Sequence, residues 1–247
     1  MRSVRLRELV VGEAPVLVAT ALADTIAGML GAVARAVNAG ADCVELRIDR
    51  LPDLSDVVAL VRRVRSPHIV ACRTARFGGF FEGSEAERIE RLHAAVDAGA
   101  TCVDIEYFAD PPLRDRLVDA AHRSETPILI GYEDMQKTPP KQELIDGIRA
   151  IAGLAPDLVK LAVRTTSHED LLDVLRTALE MRRLLDVPYA AIGLGAHGAA
   201  SRPLACLLGA SFTYCAVESG AAGQLTVAET RSVLQMVSEQ RWSCSSN

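Results

Sequence analysis

The sequence predicts an α/β fold, a (β/α)8 barrel of the TIM type, and three observations carry the prediction. Short β-rich runs alternate with amphipathic helical runs along all 247 residues, as strands wrapped by helices require. Eight such units recur at a spacing of roughly 25 to 30 residues, which matches the length of a barrel. A Gly-rich phosphate turn after an early strand, expected of a doubly wound open sheet, is missing. "GLGAHGAAS" is glycine-rich but falls after the seventh strand.

The opening segment, residues 1–14, contains the alternating "VRLRELVV" and predicts an extra strand or hairpin closing the N-terminal end of the barrel. The barrel strands are "PVLVATALA" from Pro15, "CVELRID" from Cys43, "HIVACRTA" from His68, "CVDIEYF" from Cys102, "PILIGYE" from Pro127, "LVKLAVR" from Leu158, "PYAAIGLG" from Pro188 and "SFTYCAV" from Ser211. A helical pattern follows each one. In "AERIERLHAAVDAG", Ile89, Leu92, Ala95 and Val96 fall on one face. "HEDLLDVLRTALEMRRLLD" is entered through Ser167, a predicted cap, and carries early acids that suit a helix N-terminus. Gly40 and Gly99, in "NAGA" and "DAGA", predict helix C-caps. The expectation is one barrel domain over residues 1–247, with residues 243–247 an unstructured tail.

Composition narrows the function. With 49% hydrophobic residues the chain can bury a sizeable core. The net charge is −5, with arginine and acid interspersed on predicted helix faces, so no basic field for nucleic acid or anionic membrane exists. No run approaches the roughly 20 apolar residues of a membrane span, and "MRSVRLRELVVGEAP" holds no apolar segment of signal-peptide length. A cytoplasmic protein is expected. The cysteines Cys43, Cys72, Cys102, Cys206, Cys215 and Cys244 form no C-x-x-C pair and sit mostly in apolar runs. They predict small buried hydrophobes in a reducing compartment, with no disulfide and no metal site.

One cation breaks the strand pattern. The lysines are Lys137 and Lys141, which share a polar loop, and Lys160, inside the apolar "PDLVKLAVRTT". An ammonium leaves water at a high cost unless it is paired or its pKa falls. Alternation puts Leu158, Lys160 and Ala162 on the lumen face, and Val159, Leu161 and Val163 toward the helices. By the same rule Glu45, Arg47 and Asp49, and also Asp104 and Glu106, point inward, and Arg73 sits between the small Ala71 and Ala75. A structural barrel interior would hold Val, Ile and Leu layers. Charges there fit either an internal ion-pair network or chemistry. Lysine favours chemistry, because a desolvated lysine can shed its proton and attack a carbonyl as a neutral amine. The histidines other than His197 are expected at the surface, His68 at the end of the barrel opposite the catalytic face.

Seven pieces in order extend the argument: "VRLRELVVGE", "ELRID", "CRTA", "DIEYF", "VKLAV", "SRPL" and "GAAGQL". Together they resemble the type I 3-dehydroquinate dehydratases, collinearly over nearly the whole chain. The resemblance implies a (β/α)8 barrel, a homodimer, no metal or organic cofactor, and conversion of 3-dehydroquinate to 3-dehydroshikimate in the shikimate or quinate pathway. It assigns Lys160 as the imine-forming lysine and Arg202 as the bidentate holder of the substrate carboxylate. Thr20, Glu45, Arg47, Arg73 and Gln224 would contact ring hydroxyls or order the site.

Two coupled departures stand out. In "GYEDMQKTPP", Glu133 occupies the place of the family's acid/base histidine, and in "RTARFGG", Phe77 occupies that of the glutamate which orients it. Glu133 is one candidate acid/base, its carboxyl raised toward neutrality by burial beside Phe77. The competing expectation pairs it with Lys160 or an arginine. His197 in "GLGAHG" is the other candidate, since the barrel puts it on the catalytic C-terminal face. Gly220 replaces a family serine. Three functions remain open: a Schiff-base lyase on 3-dehydroquinate or a related cyclic keto acid, an aldolase-like enzyme using Glu133 with Tyr132, and a non-catalytic binder of dehydroquinate.

Overall fold

A computed structural model describes residues 2–218 and 223–239. Gly220, Cys244 and the predicted tail at 243–247 lie outside the described residues. The chain opens with a hairpin of β1 (Val4–Leu6) and β2 (Leu9–Val11), paired antiparallel with Leu6 opposite Leu9. Its two-residue turn takes a left-handed conformation at Arg7, φ 58°, the twist that such tight turns need.

The barrel strands are β3 (Val16–Leu22), β4 (Cys43–Arg47), β5 (His68–Ala71), β6 (Val103–Glu106), β7 (Ile128–Asp134), β8 (Leu158–Arg164), β9 (Tyr189–Leu194) and β10 (Phe212–Cys215). All pair in parallel in chain order from β3 to β9, with β10 on the free side of β3. The Ser211 N–H donates to the Tyr189 carbonyl at 2.8 Å and brings β10 against β9, so the sheet closes as a barrel.

The wrapping helices are α1 (Ile26–Asn38), α2 (Leu54–Arg63), α3 (Glu85–Asp97), α4 (Pro111–Arg123), α5 (Lys141–Ala152), α6 (His168–Leu184), α7 (Ser201–Leu207) and α8 (Val227–Glu239). Their starts follow local chemistry. Ser84 with Glu87, and Ser167 with Asp170, form reciprocal capping boxes that satisfy orphan N–H groups at α3 and α6. Asp110 caps α4, and Pro111, which has no N–H to satisfy, opens it. Gly40 and Gly99 take positive φ just past α1 and α3, as expected of C-cap glycines.

Period-two alternation divides the apolar residues. Val44, Leu46, Val103, Ile105, Val159, Leu161 and Val163 pack outward against the helices, in one cluster with the helices' buried stripes. Val16, Val18, Cys43, Ile69, Cys102, Leu129, Leu158 and Phe212 fill the lower lumen, and Val4, Leu6 and Val11 of the hairpin plug it. Cys43, Cys72, Cys102, Cys206 and Cys215 are buried free thiols. No helix among the described residues is long and apolar enough to cross a membrane.

Two local expectations are corrected. β5 ends at Ala71, and Ala75 begins a 3-10 turn (Ala75–Phe77), so it does not flank Arg73 along a strand. The close neighbour is Gly79 instead: a Cβ there would collide with the Arg73 backbone. His68 is fully buried rather than superficial, with Nδ1 2.9 Å from the Ser66 carbonyl, and burial pulls its pKa down to about 4.

Candidate active site

The site grows from one register pair. Gly131 on β7 lies opposite Lys160 on β8, and a Cβ at Gly131 would stand 3.0 Å from Glu133 Oε1 and 3.2 Å from Lys160 Cε. The glycine leaves the space in which the lysine and glutamate side chains meet. Lys160 is 3% exposed, and its Nζ donates to Asp104 Oδ2 at 2.5 Å. Glu133 Oε1 is 2.9 Å from the same nitrogen, close enough for ion pairing but off the hydrogen-bonding direction.

Arg73 gathers the remaining carboxylates. It donates to Asp104 at 2.6 Å, Glu106 at 3.3 Å and Glu133, and lies 3.5 Å from Glu45. Behind it, Arg88 on α3 is fully buried and donates to Glu106 at 2.8 Å and to the Cys72 carbonyl at 2.6 Å. Thr20 donates to Glu45 at 2.9 Å. Arg47 grips Asp49 with two bonds, at 2.8 and 2.9 Å.

A cavity of about 200 Å³ opens above this layer. Thr20, Glu45, Arg47, Arg73, Glu133, Lys160, Arg202 and Gln224 all line it, together with Phe77, Met135 and Tyr214. A hollow of about 800 Å³ outside the rim, near Leu54, Phe80 and Arg91, is lined by none of the predicted site residues. Arg202, near the start of α7, is 2% exposed and donates to the carbonyls of Gly193 at 3.1 Å and Gly223 at 2.6 Å. Among the described residues it has no carboxylate partner and its Nε is unengaged, and burial lowers its pKa to about 10. A buried guanidinium with only neutral partners is a ready receptor for an anion.

The electrostatics overturn two expectations. Burial opposes the charge on Lys160, and Arg73 adds to that, but Asp104, Glu133 and Glu45 outweigh both and raise its pKa. The resting side chain is therefore an ammonium clamped by carboxylates, not a neutral amine. Burial would also raise the Glu133 carboxyl, yet Arg73 and Lys160 pull it down to about 2. The approach to neutrality beside Phe77 does not occur, because the dominant neighbours are cations.

His197 is corrected as well. It sits in a 3-10 turn (Ala196–Gly198), is exposed, does not line the cavity, and packs edge-on against His168 with ring centroids 5.4 Å apart. Sequence reasoning missed Arg88, Gly131 and Tyr214. Each left a signal: an arginine on the apolar stripe of a helix, a glycine inside a strand, and a tyrosine in phase with the lumen positions.

The type I 3-dehydroquinase family model matches residues 18–241, from within β3 to beyond the end of α8. The chain belongs to the type I 3-dehydroquinase family. The 3-dehydroquinate dehydratase of Methanopyrus kandleri is 34% identical over 226 residues, covering 90% of this chain and 99% of the relative. That of Methanosarcina barkeri is 33% identical over 214 residues, covering 82% and 88%. Among solved structures, the 3-dehydroquinate dehydratase of Enterococcus faecalis aligns with a TM-score of 0.83 at 29% identity, over 92% of this chain and 95% of that one. The type I enzyme of Clostridium difficile aligns with a TM-score of 0.91 over 96% and 98%, and at 24% identity supports the fold alone. The barrel thus combines its family's architecture with a lumen layer in which Glu133 completes a carboxylate clamp on Lys160.

Proposed function

We propose that the chain is a Schiff-base-forming dehydratase that acts through Lys160 on 3-dehydroquinate or a closely related cyclic keto acid. One observation carries the reading: a buried lysine and a buried arginine that has no carboxylate partner among the described residues line the same small cavity. A keto acid matches both, its carboxylate on Arg202 and its ketone at Lys160 Nζ.

The reaction begins with a proton transfer. The Lys160 ammonium cannot attack, so it passes a proton to the carboxylate clamp, where Glu133 Oε1 stands 2.9 Å away. The freed amine adds to the ketone, and the carbinolamine hydroxyl, protonated by the clamp carboxyl that took the Lys160 proton, leaves as water to give an iminium. The iminium acidifies the neighbouring carbon, a carboxylate of the clamp accepts that proton, and the hydroxyl on the next carbon departs as water after protonation. Hydrolysis of the imine returns Lys160 and the enone. Thr20, Glu45, Arg47, Arg73 and Gln224 hold ring hydroxyls or order the charged layer, and Phe77 dries the cavity wall. Every electron pair moves within substrate and side chains, so the sequence of steps calls for no cofactor. The same reading makes this a cytoplasmic homodimer of the shikimate or quinate pathway, its assembly measurable by light scattering.

The test is reduction with borohydride in the presence of 3-dehydroquinate, with the mass adduct mapped by peptide sequencing. An adduct on Lys160 and growth of enone ultraviolet absorbance are expected. A protein that binds and turns over substrate yet leaves Lys160 unlabelled would refute the mechanism. A non-catalytic dehydroquinate-binding role is the second reading, favoured by the pairing of Glu133 with Lys160 and Arg73. It predicts saturable binding with no enone formed.

A further inference from the structure

β10 supplies a side chain that the proposed reaction does not use. Tyr214 is in the lumen-facing phase of that strand and lines the cavity. The centroid of its ring is 5.3 Å from Lys160 Nζ, within the distance at which a cation is attracted to an aromatic face. The residue is buried, and its hydroxyl has no hydrogen-bond partner among the described residues. Burial, then Glu45 and Asp104, hold the phenol well above its ordinary range, so the ring stays uncharged.

Imine formation changes what Lys160 can donate. An ammonium carries three N–H bonds, whereas the iminium carries one and keeps the positive charge. Of the two carboxylates now paired with Nζ, Asp104 is hydrogen-bonded at 2.5 Å and Glu133 stands at 2.9 Å off the hydrogen-bonding direction; the single N–H of the iminium can serve one at most and leaves the other a charge contact alone. Each is also a base, able to draw away the proton that makes the imine electrophilic. An aromatic face needs no N–H bond and cannot accept that proton, yet it still attracts the charge.

We propose that the face of Tyr214 is a cation-stabilising surface for the Lys160 imine, holding the charge once two of the three N–H bonds are gone. The inference rests on the Schiff-base reading of Lys160. In chemical terms, the ring favours iminium, water and an ionised clamp carboxylate over the neutral carbinolamine with that carboxyl protonated. It is a selective aid to the one intermediate that acidifies the substrate.

The experiment is borohydride trapping with 3-dehydroquinate at limiting reductant, where the adduct rate follows the imine population, for wild type, Tyr214→Phe, Tyr214→Leu and Tyr214→Met. Phe keeps the ring and removes only the hydroxyl, and Met fills the volume flexibly should Leu fail to fold. Loss of the face is expected to lower trapping by about 3- to 30-fold in Leu and Met. Phe is expected to recover it to within about twofold of wild type, the range left to a single hydroxyl without a partner. Undiminished trapping in Leu and Met, or a Phe variant as poor as they are, overturns the inference. A wild-type protein that traps no adduct overturns the Schiff-base reading, and this inference falls with it.

Discussion

The lower and upper halves of the barrel lumen are made by the same strands, two residues apart, and have opposite chemistry. Cys43, Cys102, Leu158 and Phe212 lie in the apolar lower layer. Glu45, Asp104, Lys160 and Tyr214, each two positions further along, line or floor the cavity above. Two residues of strand advance about 6.6 Å without changing face, so one step along four strands converts a dry core into a charged floor. The lower layer, plugged by the N-terminal hairpin, supplies burial. In the upper layer, Lys160 and Arg73 face Glu45, Asp104 and Glu133. Such clusters add little net stability because desolvation offsets attraction, so that layer calls for a chemical reason.

If this division is right, substitutions above should cost rate and those below should cost stability. Lys160→Ala should abolish both the borohydride adduct and turnover, measured by mass spectrometry and enone absorbance. Glu133→Gln keeps the shape but cannot take a proton from Lys160. Its kcat should fall by about 100- to 10,000-fold if Glu133 is the acid/base, and a far smaller loss in steady-state kinetics would reduce it to an ion-pair partner.

Leu158→Ala, one layer down, should destabilise by about 2 to 5 kcal/mol in urea titrations, with kcat per folded molecule unchanged. A large loss of kcat without loss of stability would break the comparison. Arg202→Ala should lower kcat/KM by about 10- to 150-fold, mostly through KM, since a charge-assisted contact to the substrate carboxylate is removed.

The smallest effects concern pH. Lys160 has a raised pKa, so kcat/KM should climb from neutral toward alkaline pH as the amine is freed. Asp104→Asn removes a carboxylate that raises it and should move that limb to lower pH. For stability the signs are opposite. Glu133, lowered to about 2, stabilises the fold above the usual glutamate range and ceases to do so as pH falls through about 2. Lys160 stabilises below the usual lysine range and ceases to do so as pH rises through its raised value.

Much of this was legible in the chain. Alternation alone sorts Leu158, Lys160 and Ala162 from Val159, Leu161 and Val163, because side chains on a strand have only two directions. The capping boxes at Ser84 and Ser167 are local hydrogen bonds within four residues, and the hairpin announces itself in "VRLRELVV". The protonation of the site was not legible. For Glu133 the sequence left two expectations, a carboxyl raised beside an aromatic or a partner of Lys160 or an arginine, and only the barrel's closure brings Arg73, 60 positions away in sequence, onto its oxygen. His197 belongs to the correct face of the barrel, yet its turn directs the ring toward His168 and away from the cavity.

The sequence by itself determined the order of strands and helices, the face each strand residue takes, and the set of charges available inside. These follow from local periodicity and from homology. The tertiary structure alone decided which charges touch. Coulomb interactions and desolvation depend on distance across the lumen, and the separations among Lys160, Asp104, Glu133 and Arg73 exist only once the sheet has closed.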